Sequence, residues 1–143
     1  MKKKPENELR LEFDAKSVNE SFARYAVTAF LCPLDPTVGE IADIRTAVSE
    51  AVTNCVVHAY REKEGKIYIT VSWDASRRVK IKVKDKGCGI EDLEQSMQPF
   101  WTSDPTGERG GMGFTIMSSF TDKLTVRTAK GKGTTVTMVK KLS

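Results

Sequence analysis

Between Lys66 and Asp85 the chain alternates apolar and polar residues in two runs. Ile67, Ile69, Val71 and Trp73 mark the first, and Val79, Ile81 and Val83 mark the second. Period-two alternation puts every second side chain on one face of a strand. Asp74-Ala75-Ser76-Arg77-Arg78 is a polar turn between them, so an antiparallel hairpin with one apolar face is expected. That face needs a cover, which commits the chain to a sheet with helices against it. Asp85 continues the phase of Val79, Ile81 and Val83, so a carboxylate points where a core side chain is due. Such a group must find hydrogen-bond donors or cost on the order of a few kcal/mol.

The remaining periodicities supply the cover. Leu9, Leu11 and Phe13 alternate as a short strand. Ser17-Val18-Asn19-Glu20 has capping-box spacing, and Val18, Phe22, Ala26 and Phe30 follow at helical spacing, with a stop before Pro33. Thr37-Val38-Gly39-Glu40 is a second capping box. It opens a long helix to about residue 60, with an apolar stripe of Ile41, Ile44, Val48, Ala51, Val52 and Cys55. A polar connection, Arg61 to Gly65, leads into the hairpin. Residues 86 to 113 read as loop with a short helical piece, and a helix opens on glycines and runs from Phe114 to Phe120. Leu124–Val126 and Val136–Met138 form a last hairpin. The order β-α-α-β-β-loop-α-β-β predicts an α+β two-layer sandwich: a mixed, mostly antiparallel sheet with helices on one face.

A length of 143 residues suits one domain, residues 1–143, and 39% hydrophobic with 29% charged residues is ordinary globular composition. The basic N-terminus has no apolar stretch behind it, and no apolar run approaches a membrane span, so the cytoplasm is expected. Cys32, Cys55 and Cys88 form no CxxC pair and are expected as small buried or half-buried thiols. The net charge of +4 owes much to lysines at the two ends, without interleaved aromatics. Nucleic-acid binding is therefore not expected.

Four segments carry chemistry. Glu50 and Asn54 lie one turn apart on the long helix, beside the small Ala47 and Ala51, which are expected to leave space above the helix. Their oxygens suit a hard cation such as Mg²⁺, which keeps waters and phosphates as further ligands. Alone, this spacing is common on polar helix faces. Asp85-Lys86-Gly87-Cys88-Gly89 places two glycines beside the in-phase carboxylate, where backbone could approach a flat ligand, and a purine amine would suit the carboxylate. Gly107-Glu108-Arg109-Gly110-Gly111-Met112-Gly113 precedes an apolar helix, and free amides at such an N-terminus form an anion site. It is neither a P-loop nor a dinucleotide fingerprint. Gly131-Lys132-Gly133-Thr134-Thr135, by itself, is a hairpin turn.

In order and spacing the four segments resemble the GHKL ATPases, the superfamily of DNA gyrase, heat-shock chaperone ATPases, MutL and histidine kinases. The resemblance makes Glu50-x-x-x-Asn54 the N-box, Asp85-x-Gly87-x-Gly89 and Gly111-x-Gly113 the glycine boxes, and Gly133-Thr134 the final box. Ser21-Phe22-Ala23-Arg24, Leu34-Asp35-Pro36-Thr37, the run Ala47 to Asn54 and the run Gly111 to Met117 are similar to the sporulation anti-sigma F factors. Those are dimeric serine kinases that hold sigma factor F inactive and phosphorylate an anti-anti-sigma factor.

The resemblance implies ATP and Mg²⁺ as cofactors. Asn54 would hold Mg²⁺ against the phosphates and Asp85 would read the adenine amine. Gly87 and Gly89 would admit the base, Gly110, Gly111, Met112 and Gly113 would wrap the phosphates, and the Thr134 hydroxyl would support the base end. Glu50 would act on the substrate serine. A carboxylate near a metal site is a weak base, which favours orienting that hydroxyl over deprotonating it. Arg24, Glu108 and Arg109 match partner-contacting positions, and a homodimer through the N-terminal half is implied. His58, the sole histidine, is expected as a packed or hydrogen-bonded helix residue. The chain departs from the pattern at Gly110 (serine expected), Asp104 (lysine expected) and Ala59 (glycine usual). Other readings are a stress-response kinase of the same superfamily, the catalytic domain of a histidine kinase, and a binding module without turnover.

Overall fold

The computed structural model describes residues 4–90 and 113–143. In chain order these form β1 (Asn7–Asp14), α1 (Asn19–Phe30), a 3₁₀ turn (Cys32–Leu34), α2 (Val38–Asn54), a π-helical turn (Cys55–Ala59), β2 (Lys66–Trp73), β3 (Arg78–Asp85), α3 (Gly113–Ser119), β4 (Lys123–Ala129) and β5 (Gly133–Lys141). The strands make one sheet in the order β1-β2-β3-β5-β4. The chain is the expected α+β sandwich. Where a mixed sheet was expected, all four described pairings are antiparallel.

The alternation of the central strands decides which face is covered. Ile67, Ile69, Val71, Trp73, Val79, Ile81, Val83, Val136 and Met138 are buried on one side. Lys80, Lys82 and Lys84 are exposed on the other. Each buried aliphatic side chain stabilises by about 1.5–3 kcal/mol. Ile44, Ala47, Val48, Ala51 and Val52 of α2 join the same core, as does Met117 of α3.

Thr37 caps α2 as expected: its Oγ1 accepts from Glu40 N at 3.0 Å, and Glu40 Oε1 accepts from Thr37 N at 2.9 Å. At the other end the ladder slips to i−5 spacing, with Tyr60 N donating to Cys55 O at 3.0 Å. Arg61 and Glu62 then take left-handed φ values of 52° and 64°, which ends the helix. The Tyr60 hydroxyl ties this end to the sheet, donating to Lys66 O at 2.6 Å and accepting from Lys86 N at 2.7 Å.

Four local expectations are corrected. The Ser17 capping box does not form: the Ser17 carbonyl accepts from Glu20 N at 3.1 Å, and the helix opens without a side-chain cap. The Glu20 carboxylate crosses to α2 and accepts from Thr53 Oγ1 at 3.0 Å. The buried stripe of α1 is Ala23, Val27 and Thr28, followed by Leu31, while Val18 is 76% and Phe22 52% exposed. Ala23 and Val27 each sit one residue beyond Phe22 and Ala26, a rotation of about 100° around the helix. The small side chain at Ala23 lets α1 lie close to α2. Ala47 and Ala51 open no space, because both lie in the core. Of the three thiols, Cys55 is buried as expected, whereas Cys32 and Cys88 are exposed.

Candidate functional site

The phase of β3 carries Asp85 inward, and only 5% of it is exposed. Its two oxygens are used unequally. Oδ1 accepts from Gly87 N at 2.9 Å and from Thr134 N at 3.1 Å. Oδ2 has one described partner, the Cys55 thiol at 3.7 Å, a long and weak donor. Burial pushes the Asp85 carboxyl above its usual range, against the pull of those donors. Burial, with the Asp85 charge second, raises the Cys55 thiol well above its usual value, so the thiol stays protonated and donates.

The glycines around Asp85 serve the chain itself. A side chain at Gly87 would press into the Ala59 carbonyl, which already accepts from Cys88 N at 3.1 Å. Gly89, at φ +77°, lies against the Ala129 carbonyl, and Gly133, at φ +114°, against the backbone of Asp85 and Lys86. The close approach that the sequence suggested for a flat ligand is therefore, among the described residues, an approach of strand ends and helix end to each other. Thr134 completes the cluster. Its hydroxyl lies 3.0 Å from that of Thr128, which also accepts from Ile90 N at 2.8 Å.

Asn54 is half-buried at the last turn of α2, with Glu50 one turn earlier. Gly113, the first residue of α3, faces it: a Cβ there would come within 2.9 Å of Asn54 Oδ1. The glycine thus lets the start of α3 approach the carboxamide closely. Adjacent residues of one helix serve the two ends of the site, Asn54 meeting Gly113 and Cys55 meeting Asp85. Gly110, Gly111, Met112, Glu108, Arg109 and Asp104 lie outside the described residues.

This donor set fits a nucleotide with Mg²⁺. Among the described residues no group of three or more His, Cys, Asp or Glu could hold a metal. Mg²⁺ needs no such cage, since waters and phosphates complete its shell around one or two protein oxygens. Asn54 Oδ1 can supply one oxygen, and Asp85 Oδ2 has acceptor capacity left for an exocyclic amine.

Arg24 lies on α1, away from Asp85, yet it connects to the site. Its guanidinium is 3.5 Å from Glu20, which holds Thr53, the neighbour of Asn54. Sequence reasoning missed this link, the thiol on Asp85 and the Tyr60 anchor. Cys55 could have been found, since it falls four residues after Ala51 on the buried stripe. The Glu20 link carries no sequence signal, because it depends on how α1 crosses α2. His58 is half-buried on the π turn, and its carbonyl faces the Cys88 thiol at 3.6 Å.

Residues 12–140 match the family model of the histidine kinase-like ATPase domain. The chain is 50% identical over 138 residues to an anti-sigma F factor of Clostridium perfringens, covering 96% of this chain and 99% of that protein. It is 54% identical over 134 residues to an anti-sigma F factor of Caldanaerobacter subterraneus, covering 94% and 93%. Among solved structures, the RsbU and RsbW domains of a Mycobacterium tuberculosis protein share the fold at TM-score 0.69 and 21% identity, over 96% of this chain and 32% of that one. The mycobacterial sensor histidine kinase MprB shares it at TM-score 0.58 and 14% identity, over 94% of this chain and 100% of that one.

Proposed function

The chain belongs to the histidine kinase-like ATPase family, in its anti-sigma F factor branch, and on that premise we propose that it binds and inhibits sigma factor F and, with ATP and Mg²⁺, phosphorylates a serine of the anti-anti-sigma factor. The observation that carries the nucleotide half is the unequal use of Asp85. One oxygen is held by two backbone amides, and among the described residues the other faces only a weak thiol donor. A buried carboxylate in that state is unfavourable unless a further donor arrives, and an adenine amine is such a donor.

Bound ATP with Mg²⁺ supplies the phosphoryl group and neutralises its charge. Phosphoryl transfer needs positioning above all. Asn54 offers its carboxamide oxygen at the phosphate end, Gly87 and Gly89 shape the base end, and the Thr134 hydroxyl, braced by Thr128, borders it. Glu50 orients the substrate hydroxyl. Gly110, Gly111, Met112 and Gly113 wrap the phosphates, and Arg24, Glu108 and Arg109 meet the protein partners. A homodimer through the N-terminal half is supported by the edge position of β1 and by Val18, Phe22 and Tyr25, large and exposed at helical spacing on α1. No described helix is long and apolar enough to cross a membrane, and a sigma-factor partner would put the proposed activity in the cytoplasm.

The test is incubation with labelled ATP, Mg²⁺ and the candidate anti-anti-sigma factor, followed by acid. Acid-stable phosphoserine on the partner is expected. An acid-labile product would instead favour a histidine kinase domain, and sigma binding without transfer a module that does not turn over. Glu50→Ala is expected to lose transfer by more than about 100-fold while nucleotide affinity holds within a few-fold. Equal loss of both in a titration would remove Glu50 from the chemistry.

A further inference from the structure

The uncovered face of the sheet carries charge of one sign. β3 presents Lys80, Lys82 and Lys84 outward, all exposed. The register sets Lys84 and Arg127 on either side of Thr135, and Lys80 and Lys123 on either side of Val139. No carboxylate shares this face of β3, β5 and β4. Lys84, Arg127 and Lys132 also line a shallow hollow of about 220 Å³, floored by Thr135 and the β4–β5 turn. The acids of the sheet's outer face are on β1, two strands from β3. Two of them are engaged there, Glu8 by Arg10 at 3.0 Å and Asp14 by Lys66 at 2.6 Å.

An antiparallel sheet can leave one face to water, so an open face alone calls for nothing. The charge pattern does. Alternate residues of a strand lie about 6.7 Å apart, where two like charges repel by about 0.6 kcal/mol in water before screening. Folding gains nothing from three such lysines in a row. Among the described residues, none of Lys80, Lys82 and Lys84 has an ion pair.

We propose that this face of β3, β5 and β4, centred on the hollow between Lys84, Arg127 and Lys132, docks an acidic helix of a partner protein. A helix bearing a carboxylate at every fourth residue repeats about every 6 Å, which matches the lysine spacing along β3. It would complete a third layer on the sheet and bring one acidic side chain to the hollow. Single-stranded nucleic acid fits less well, because it needs open aromatic rings to stack on. Tyr68 is the aromatic of this face among the described residues, and the Lys86 ammonium sits over its ring at 4.9 Å from the centroid. The hollow is also lined by Asp85, Thr128, Gly133 and Thr134, so it abuts the Asp85 site, but the proposal rests on the outward charges of β3 and β4 and not on the kinase reading.

The probe is a fluorescent, roughly 20-residue helical peptide with glutamate at every fourth position, titrated with the full chain at about 50 and about 300 mM salt. Removing face charge in Lys82→Gln/Lys84→Gln/Arg127→Gln is expected to weaken binding at least about tenfold. Removing as much charge elsewhere, in Lys4→Gln/Lys16→Gln/Lys63→Gln, is expected to change it by less than about twofold. Thermal melts confirm that both variants fold. Amide shifts of the labelled parent chain are expected to move along β3, β5 and β4. Absent binding, equal loss in both triples, or shifts confined to the helices would overturn the proposal. So would tighter binding of an equally charged single-stranded oligonucleotide that the first triple abolishes.

Discussion

Asp85 is held against its own solvation. Burial raises its pKa, so the folded chain binds a proton more readily than the unfolded one. Stability from this group is therefore greatest below the unfolded aspartate value of about 3.9 and falls as pH rises through the higher folded value. Above that folded value the ionised carboxylate weakens the fold. Asp85→Asn keeps an oxygen for Gly87 N and Thr134 N and removes the charge. Its melting temperature is expected at or above that of the parent, while ATP affinity drops by more than about 100-fold, because the amide would turn a donor toward the adenine amine. Calorimetry and a nucleotide titration on one preparation check both. A variant that loses stability and keeps affinity would show that Asp85 is a structural group. Cys55→Ala removes the thiol from Oδ2 and leaves a small cavity, and is expected to cost about 1 kcal/mol in a denaturant melt.

At the scale of elements, α2 carries the site and its cap sets where it starts. Thr37→Ala removes the hydroxyl that accepts from Glu40 N, leaves the backbone amide that donates to Glu40 Oε1, and is expected to cost about 1 kcal/mol in chemical denaturation. The partner carboxylate adds a pH signature. Glu40 titrates below its usual value, chiefly because the Thr37 amide donates to it. Its contribution is present above the unfolded glutamate value of about 4.3 and is lost as pH falls through the lower folded value. Glu40→Gln is expected to flatten that part of the acid limb and leave the neutral region unchanged in slope. The two capping boxes also show why sequence legibility differs between elements. Glu40 also accepts from Ser143 N at 2.8 Å, but through Oε2, which leaves Oε1 for the Thr37 amide, so the local pattern is realised. Glu20 has the same spacing from Ser17, but Thr53 and Arg24 compete for its carboxylate, and no local pattern contains them. The apolar stripe of α1 misled for a related reason. Val18 and Phe22 fit the period, yet the crossing with α2 is made through Ala23 and Val27.

Across the whole molecule, the sheet was legible because alternation is a two-body property of a strand and its cover, and it ran unbroken through β2, β3 and β5. Asp85 was legible as a breach of that alternation, and Asn54 and Glu50 as a pair on one helix. What the glycines touch was not legible, since Gly87 meets Ala59 and Gly89 meets Ala129 across long stretches of sequence. The same crossing that buries Ala23 and Val27 turns Phe22 and Tyr25 outward, at 52% and 56% exposed, beside the free edge of β1. Phe13 of β1 meets Phe22 edge-on at 6.1 Å, so strand edge and helix stripe form one continuous apolar surface. Exposed aromatic side chains of that size are costly in a monomer and are common at the centres of interfaces. If this surface is the proposed homodimer contact, Phe22→Asp is expected to raise the dimer dissociation constant at least about 100-fold, measured by light scattering across a dilution series. Val38, also large and exposed but at the far start of α2, supplies the control: Val38→Asp is expected to leave the dimer intact. A monomeric parent at every concentration, or equal effects of the two substitutions, would remove the α1 stripe from the assembly.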